Sequence, residues 1–250
     1  MFTIVNMVHV SPTDRRSERR QQTSDDIVDA ALRRLEGDGV EALTMHKLAD
    51  ELGYAVGALY RYFPSKDALL LAVQRRVLEA LTSDIVAGVA RADDHARQAG
   101  LSPSSSALLR VLAAVAAYRS LPGRRPGHFA MMTRWLADPR PLVRTEEAMQ
   151  HLPALLSLFQ PIAAVFDDAV AAGAFTAGPS ERRLVALWGA LQGVLQLQKM
   201  ARFGVAAIDP TALAADVTRA LCLGWGADAA TFDDVADRVF RLDLFATEGV

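Results

Sequence analysis

Apolar residues along this chain recur at helical intervals, and alternating β-branched runs bounded by turn residues are nearly absent. In TSDDIVDAALRRLEGDG (23–39), Ile27, Ala30, Ala31 and Leu35 share one face. Ser24 stands where a cap is needed, Asp25 and Asp26 suit the positive end of the helix dipole, and Gly37 or Gly39 can end the helix. A second helix is predicted from the cap residue Thr44 to Leu52, with Leu48, Ala49 and Leu52 inward and Gly53 as the left-handed turn residue. A third and short one covers 55–63, a rod of roughly 12 Å, closed by Pro64. Ser65 caps a fourth helix running into the low nineties. RQAGLSPSSS (97–106) reads as a linker. Helices follow at 106–119, 127–137, 141–150, 153–172, 181–203, 211–224 and 232–245. Pro161 falls inside the fourth of these seven runs, 153–172, and predicts a kink there. The expected fold is all-α.

Composition narrows the class. The 250 residues are 51% apolar, ample for a packed core. The lone cysteine, Cys222, excludes a disulfide framework or a thiolate metal cluster and favours a reducing, cytoplasmic setting. Apolar segments are broken by charge well before a membrane span's length, and the N-terminus lacks the basic start of a signal peptide. Residues 13–76 carry eleven Lys/Arg against eleven Asp/Glu, so a nucleic-acid surface there requires sorting of charge between faces. Nucleophile elbow, phosphate loop and zinc-protease signatures are all missing from the string, which argues against an enzyme. His128 and His151 lack a second ligand at metal spacing, and neither metal nor cofactor is expected.

The short third helix carries the most information. Leu59 and Phe63, four apart, face inward against Leu48, Ala49 and Leu52, while Tyr60, Arg61 and Tyr62 stand together outside. Three helices with a glycine turn between the last two form the plan of a helix-turn-helix, whose final helix enters the major groove of duplex DNA. There Gly57 and Ala58 remove bulk, the two phenols can donate to phosphates, and Arg61 can reach a phosphate or a guanine edge. Lys66 adds a cation at the next helix start. Upstream, Arg15, Arg16, Arg19 and Arg20 in DRRSERRQQ form a flexible basic arm within 1–22.

The string Thr44, Leu48, Ala49, Gly53, Gly57, Leu59, Tyr60, Tyr62, Phe63, Lys66 and Leu69, at these spacings, resembles the N-terminal domain of TetR-family transcriptional regulators. The resemblance covers about residues 23–72, followed by a helical body from 73 to 250. It implies a homodimer with two DNA-reading heads, a palindromic operator, and a C-terminal domain that binds a small-molecule effector and dimerises. Carried over by position, it places DNA contacts at Thr44, Met45, His46, Val56, Gly57, Ala58, Tyr60, Arg61, Tyr62 and Lys66, and Lys47 is expected to neutralise a phosphate beside them. Ala55 departs from the family's usual Ser or Thr, so the third helix lacks a side-chain cap. Tyr54, where a small aliphatic is usual, departs as well.

The remaining two-thirds is less specific. By the resemblance, dimer helices fall at 181–204 and 211–228, where Leu184, Leu187, Leu191, Val194 and Leu195 and then Leu213, Val217 and Leu221 form stripes. Gly189, Ala190 and Gly193 permit close approach. His128, Met131, Met132, Trp135, Met149, Phe159, Phe166, Trp188 and Gln192, with Phe175, are candidates to line a mostly apolar effector cavity. The leading expectation is a repressor released from DNA by an apolar ligand. The alternative is an architectural or division-linked DNA-binding protein with the same heads and no inducer.

Overall fold

The computed structural model describes residues 12–38, 42–137 and 143–242. The chain divides into two compact units, residues 1–74 and 75–250. Every regular element among the described residues is helical, as the periodicity requires.

In the first unit α1 (Pro12–Asp38) buries Ile27, Ala30, Ala31 and Leu35. It begins some eleven residues before the expected start, which corrects the flexible arm over 12–22; residues 1–11 of that arm lie outside the described residues. The extension is held by local bonds: the Gln21 and Gln22 amides donate to Asp25 and Asp26, and Thr23 Oγ1 donates to the Arg19 carbonyl at 2.9 Å. Ser24 therefore sits inside a helix and caps nothing. α2 (Met45–Leu52) starts as expected, with Thr44 Oγ1 accepting from the Lys47 N–H at 3.2 Å, and ends on Gly53 at φ 68°. Arg34 of α1 clasps Glu51 of α2 at 2.7 Å.

α3 (Val56–Tyr60) is five residues, shorter than predicted. Its last turn tightens, with the Tyr62 and Phe63 N–H groups both donating to the Leu59 carbonyl at 2.9 Å. Pro64 follows, and it disfavours helical dihedrals at Phe63. Leu59 and Phe63 are buried as expected. Ser65 Oγ accepts from the Ala68 N–H at 2.9 Å and so caps α4 (Lys66–Gln98).

In the second unit the expected ten-residue linker shrinks to 99–102. Pro103 occupies the first turn of α5 (Pro103–Arg124), where its missing N–H costs nothing, and Ser102 caps it. α5 is the central rod: eleven of its residues are buried, from Ala107 to Leu121. α6 (Pro126–Ala137), α7 (Thr145–Ser157), α8 (Gln160–Ala171), α9 (Ser180–Gln196), α10 (Pro210–Gly224) and α11 (Ala229–Leu242) complete the body, with 3₁₀ turns at Leu197–Phe203 and Ala206–Ile208. Pro153 lies within α7, so the expected boundary at 150–153 moves; the break comes at 158–159 instead. Pro161 then stands in the first turn of α8, and the two axes meet at 46°. The single kinked helix expected over 153–172 is thus two helices. The final helix also starts three residues early, and 243–245 lie outside the described residues.

Ion pairs lace these helices together. Asp84 of α4 accepts from Arg125 at 2.9 Å beside Arg124, and Arg110 of α5 reaches Asp168 of α8 at 2.7 Å. The turn after α8 is fixed more unusually. The Arg183 guanidinium lies 5.6 Å from the Phe175 ring and 5.7 Å from that of Trp225, while Thr176 donates through both N–H and hydroxyl to the Trp225 carbonyl. A Cβ at Gly178 would stand 2.6 Å from that guanidinium, so the close approach requires glycine.

Candidate nucleic-acid interface and effector cavity

On the first unit, α2 and α3 present a polar face opposite the buried Leu48, Ala49 and Leu59. Thr44, His46, Lys47, Gly57, Tyr60 and Arg61 are exposed, with Tyr60 at 45%. Val56, Ala58, Tyr62 and Lys66 are half-buried at its edge. Met45 departs from the expected contact set: it is 5% exposed, its side chain turned into the core at the first position of α2. Arg15 and Arg16 are exposed on the first turns of α1, so these cations ride on a rigid rod. Arg20 from the same rod lies 6.0 Å from the centre of the Tyr62 ring, a contact that a flexible arm could not have foretold. Ala55 has extended dihedrals (φ −65°, ψ 139°) suited to a cap, and no side-chain cap bond.

The second unit contains a cavity of about 640 Å³, walled by α4, α5, α7, α8 and α9. Its floor is Val111, Ile162, Phe166, Leu187 and Leu191, all buried; its mouth is Leu156, Gln160, Glu181 and Val185, all exposed. Of the expected lining residues, Phe159, Phe166 and Trp188 are there. Gln192 stands one layer behind. The other candidates do not line the space: Met131 and Met132 are buried beyond it, His128 and Trp135 are half-buried on α6, and Met149 is 61% exposed on α7. Phe175 instead packs on Phe166 and Trp225, at 6.4 and 5.6 Å.

Tyr118 was not foreseen, and it organises the cavity's polar side. Its hydroxyl donates to Gln192 Oε1 and lies 3.9 Å from Met132 Sδ, with the Trp188 indole beside it. Gln192 Nε2 passes the chain on to Thr133 Oγ1 at 3.1 Å. Burial raises the Tyr118 pKa well above the ordinary phenol value, against a smaller lowering from the neighbouring Trp188, so the ring stays neutral. The signal was present in α5 as Val111, Ala114, Val115 and Tyr118 on one helical face, but alanine-rich stripes give no hint of an empty neighbour. Among the described residues, no three His, Cys, Asp or Glu side chains gather as metal ligands, and no single helix is long and apolar enough to cross a membrane.

A three-helix head with an exposed tyrosine–arginine helix, followed by an all-helical body, is the arrangement of a helix-turn-helix regulator, and the head is of the TetR type. Residues 27–73 match the family of bacterial regulatory proteins, tetR family. The chain is 36% identical over 78 residues to the HTH-type transcriptional repressor KstR of Mycolicibacterium smegmatis, spanning 31% of this chain and 38% of that one. It is 44% identical over 48 residues to the nucleoid occlusion factor SlmA of Actinobacillus pleuropneumoniae, 19% of this chain and 24% of that one. The chain thus aligns with well under half the length of these two relatives. A solved structure designated SCO4313 covers 82% of this chain and 97% of its own, with TM-score 0.58 and 22% identity, a likeness of fold. A repressor and a nucleoid occlusion factor share the same kind of head, so the head alone does not separate the two expected functions.

Proposed function

We propose that this chain is a sequence-specific DNA-binding transcriptional regulator, a repressor that leaves a palindromic operator when a small, largely apolar molecule occupies the cavity of its second unit. The observation that favours an effector over an architectural role is the cavity itself: about 640 Å³ sits within the range of ligand pockets, among floor residues that would otherwise close-pack. Leu81 and Ile85 of α4 stand in the cavity wall, and Lys66, an expected DNA contact, belongs to the same helix.

The protein acts in the cytoplasm as a homodimer in this reading. α9 turns Gly189 and Gly193 to solvent one turn apart, and neighbouring α10 likewise exposes Ala212, Ala215 and Ala220. These small-residue faces allow two copies to approach closely, whereas Leu187, Leu191 and Leu195 of the expected stripe point into their own subunit. The test is selection of genomic fragments by the full-length protein, followed by sizing of the complex. A palindromic site bound by two copies, and lost on adding an apolar ligand, is expected. Uniform binding to all fragments, unaffected by any ligand, would sink the repressor reading.

A further inference from the structure

The cavity's walls carry information on the charge of what fits inside, an inference that rests on the effector-binding role just proposed. Eighteen side chains line the space among the described residues, and of these Glu181 is the one ionisable group besides the neutral Tyr118 phenol. Glu181 is exposed at the mouth, where water solvates it. Among the described residues no lysine, arginine or histidine lines the wall, so an anion entering would lose its hydration with no cation to replace it. A cation would face a floor that is aliphatic apart from Phe166, and a hydrated carboxylate at the rim, which salt screens.

Hydrogen bonding narrows the class further. The Tyr118 hydroxyl has one proton, already given to Gln192, so its oxygen offers only lone pairs to the cavity. A lone pair can receive a ligand's donor. A ligand offering only acceptors would have to displace Gln192, which is itself anchored to Thr133.

We propose that the effector is an uncharged, predominantly apolar molecule whose polar group is a hydroxyl, an alcohol or phenol, that donates to Tyr118. Carboxylates and acyl thioesters of charged carriers are excluded from the floor.

The test uses three probes with one ten-carbon tail, 1-decanol, decanoate and decyltrimethylammonium, titrated into the full-length protein at neutral pH and physiological salt. Binding is read by calorimetry and by the fluorescence of Trp188, with Trp188→Phe identifying the signal. Decanol is expected to bind at least ~100-fold more tightly than decanoate, the discrimination of an unpaired charge in an apolar site. Decyltrimethylammonium is expected to bind more weakly than decanol. Leu184→Lys, which sets an ammonium at the half-buried edge of the wall, should turn decanoate into a ligand; this gain of binding does not depend on any loss of folding. Tyr118→Phe should weaken decanol several-fold and leave decane-like binding intact. If decanoate or the ammonium binds wild-type protein as tightly as decanol, the ligand class is wrong while the effector role stands. If no probe binds, the effector role fails with it, and DNA binding is untouched by either result.

Discussion

Changing Ala55 to serine should stiffen the reading helix without altering its outward face. α3 has five residues and starts from a backbone already in cap geometry, with the Ala55 carbonyl accepting from the Ala58 N–H at 2.8 Å. A serine hydroxyl at that position would accept from the Gly57 or Ala58 N–H. A good N-cap is worth about 0.5–2 kcal/mol relative to alanine. For a unit of this size ~1 kcal/mol corresponds to a rise in Tm of roughly 4–8 °C. The same energy slows amide exchange at Gly57 and Ala58 by about fivefold, provided α3 opens independently of the rest. Thr44→Ala is the internal calibration, because it removes the Thr44–Lys47 cap bond one helix earlier and should cost a similar amount. Ala55→Asp separates stability from recognition. It should cap at least as well, aided by the helix dipole, yet weaken operator binding by placing a negative charge against phosphates. Hydrogen exchange and thermal melting of the three variants, with operator titrations alongside, decide it. No change in α3 protection for Ala55→Ser, while Thr44→Ala costs its ~1 kcal/mol, would refute the idea that the helix is limited by its missing cap.

Arg61→Ala should weaken operator binding by about 1–3 kcal/mol, and unchanged affinity in a salt-controlled titration removes Arg61 from the contact set. Lys47→Ala should lower affinity uniformly across sequences and reduce the slope of log K against log salt by about one per head; an unaltered slope means Lys47 touches no phosphate. Cys222 is fully buried, and burial pushes its thiol up to about 12 from an ordinary 9.0. The unfolded chain therefore releases this proton first, so the contribution is intact below pH ~9 and stability falls as pH rises from there towards 12. Cys222→Ala should flatten that alkaline decline in urea melts, and an identical decline in both proteins would assign it to other groups.

The parts of this fold legible in the sequence are those with local causes. Thr44 and Gly53 bracket α2 because a cap and a left-handed turn need particular side chains, and Leu59 with Phe63 face inward because four residues make about one turn. Signals with two meanings misled. Ser24 looks like a cap but lies inside α1, since Arg, Glu and Gln on either side carry the helix through it. The Ser/Pro run at 102–106 looks like a linker, yet Pro103 and Ser102 together start α5. The cavity was the least legible. Its existence depends on how five helices fail to meet, and methionine and histidine content on α6 says nothing of that. Tyr118 was hidden in an alanine-rich stripe for the same reason.

The clamp around Arg183 has a bearing on which molecules can be told apart. Phe166, at the cavity floor, leans on Phe175 and Trp225, which grip the guanidinium, so that end behaves as a rigid last. At the other end Leu156 and Val185 are 57% and 60% exposed, and nothing there resists a protruding chain. Discrimination should accordingly be strict in girth and lenient in length: a homologous series gains little once its tail emerges, while a single branch near the head is turned away.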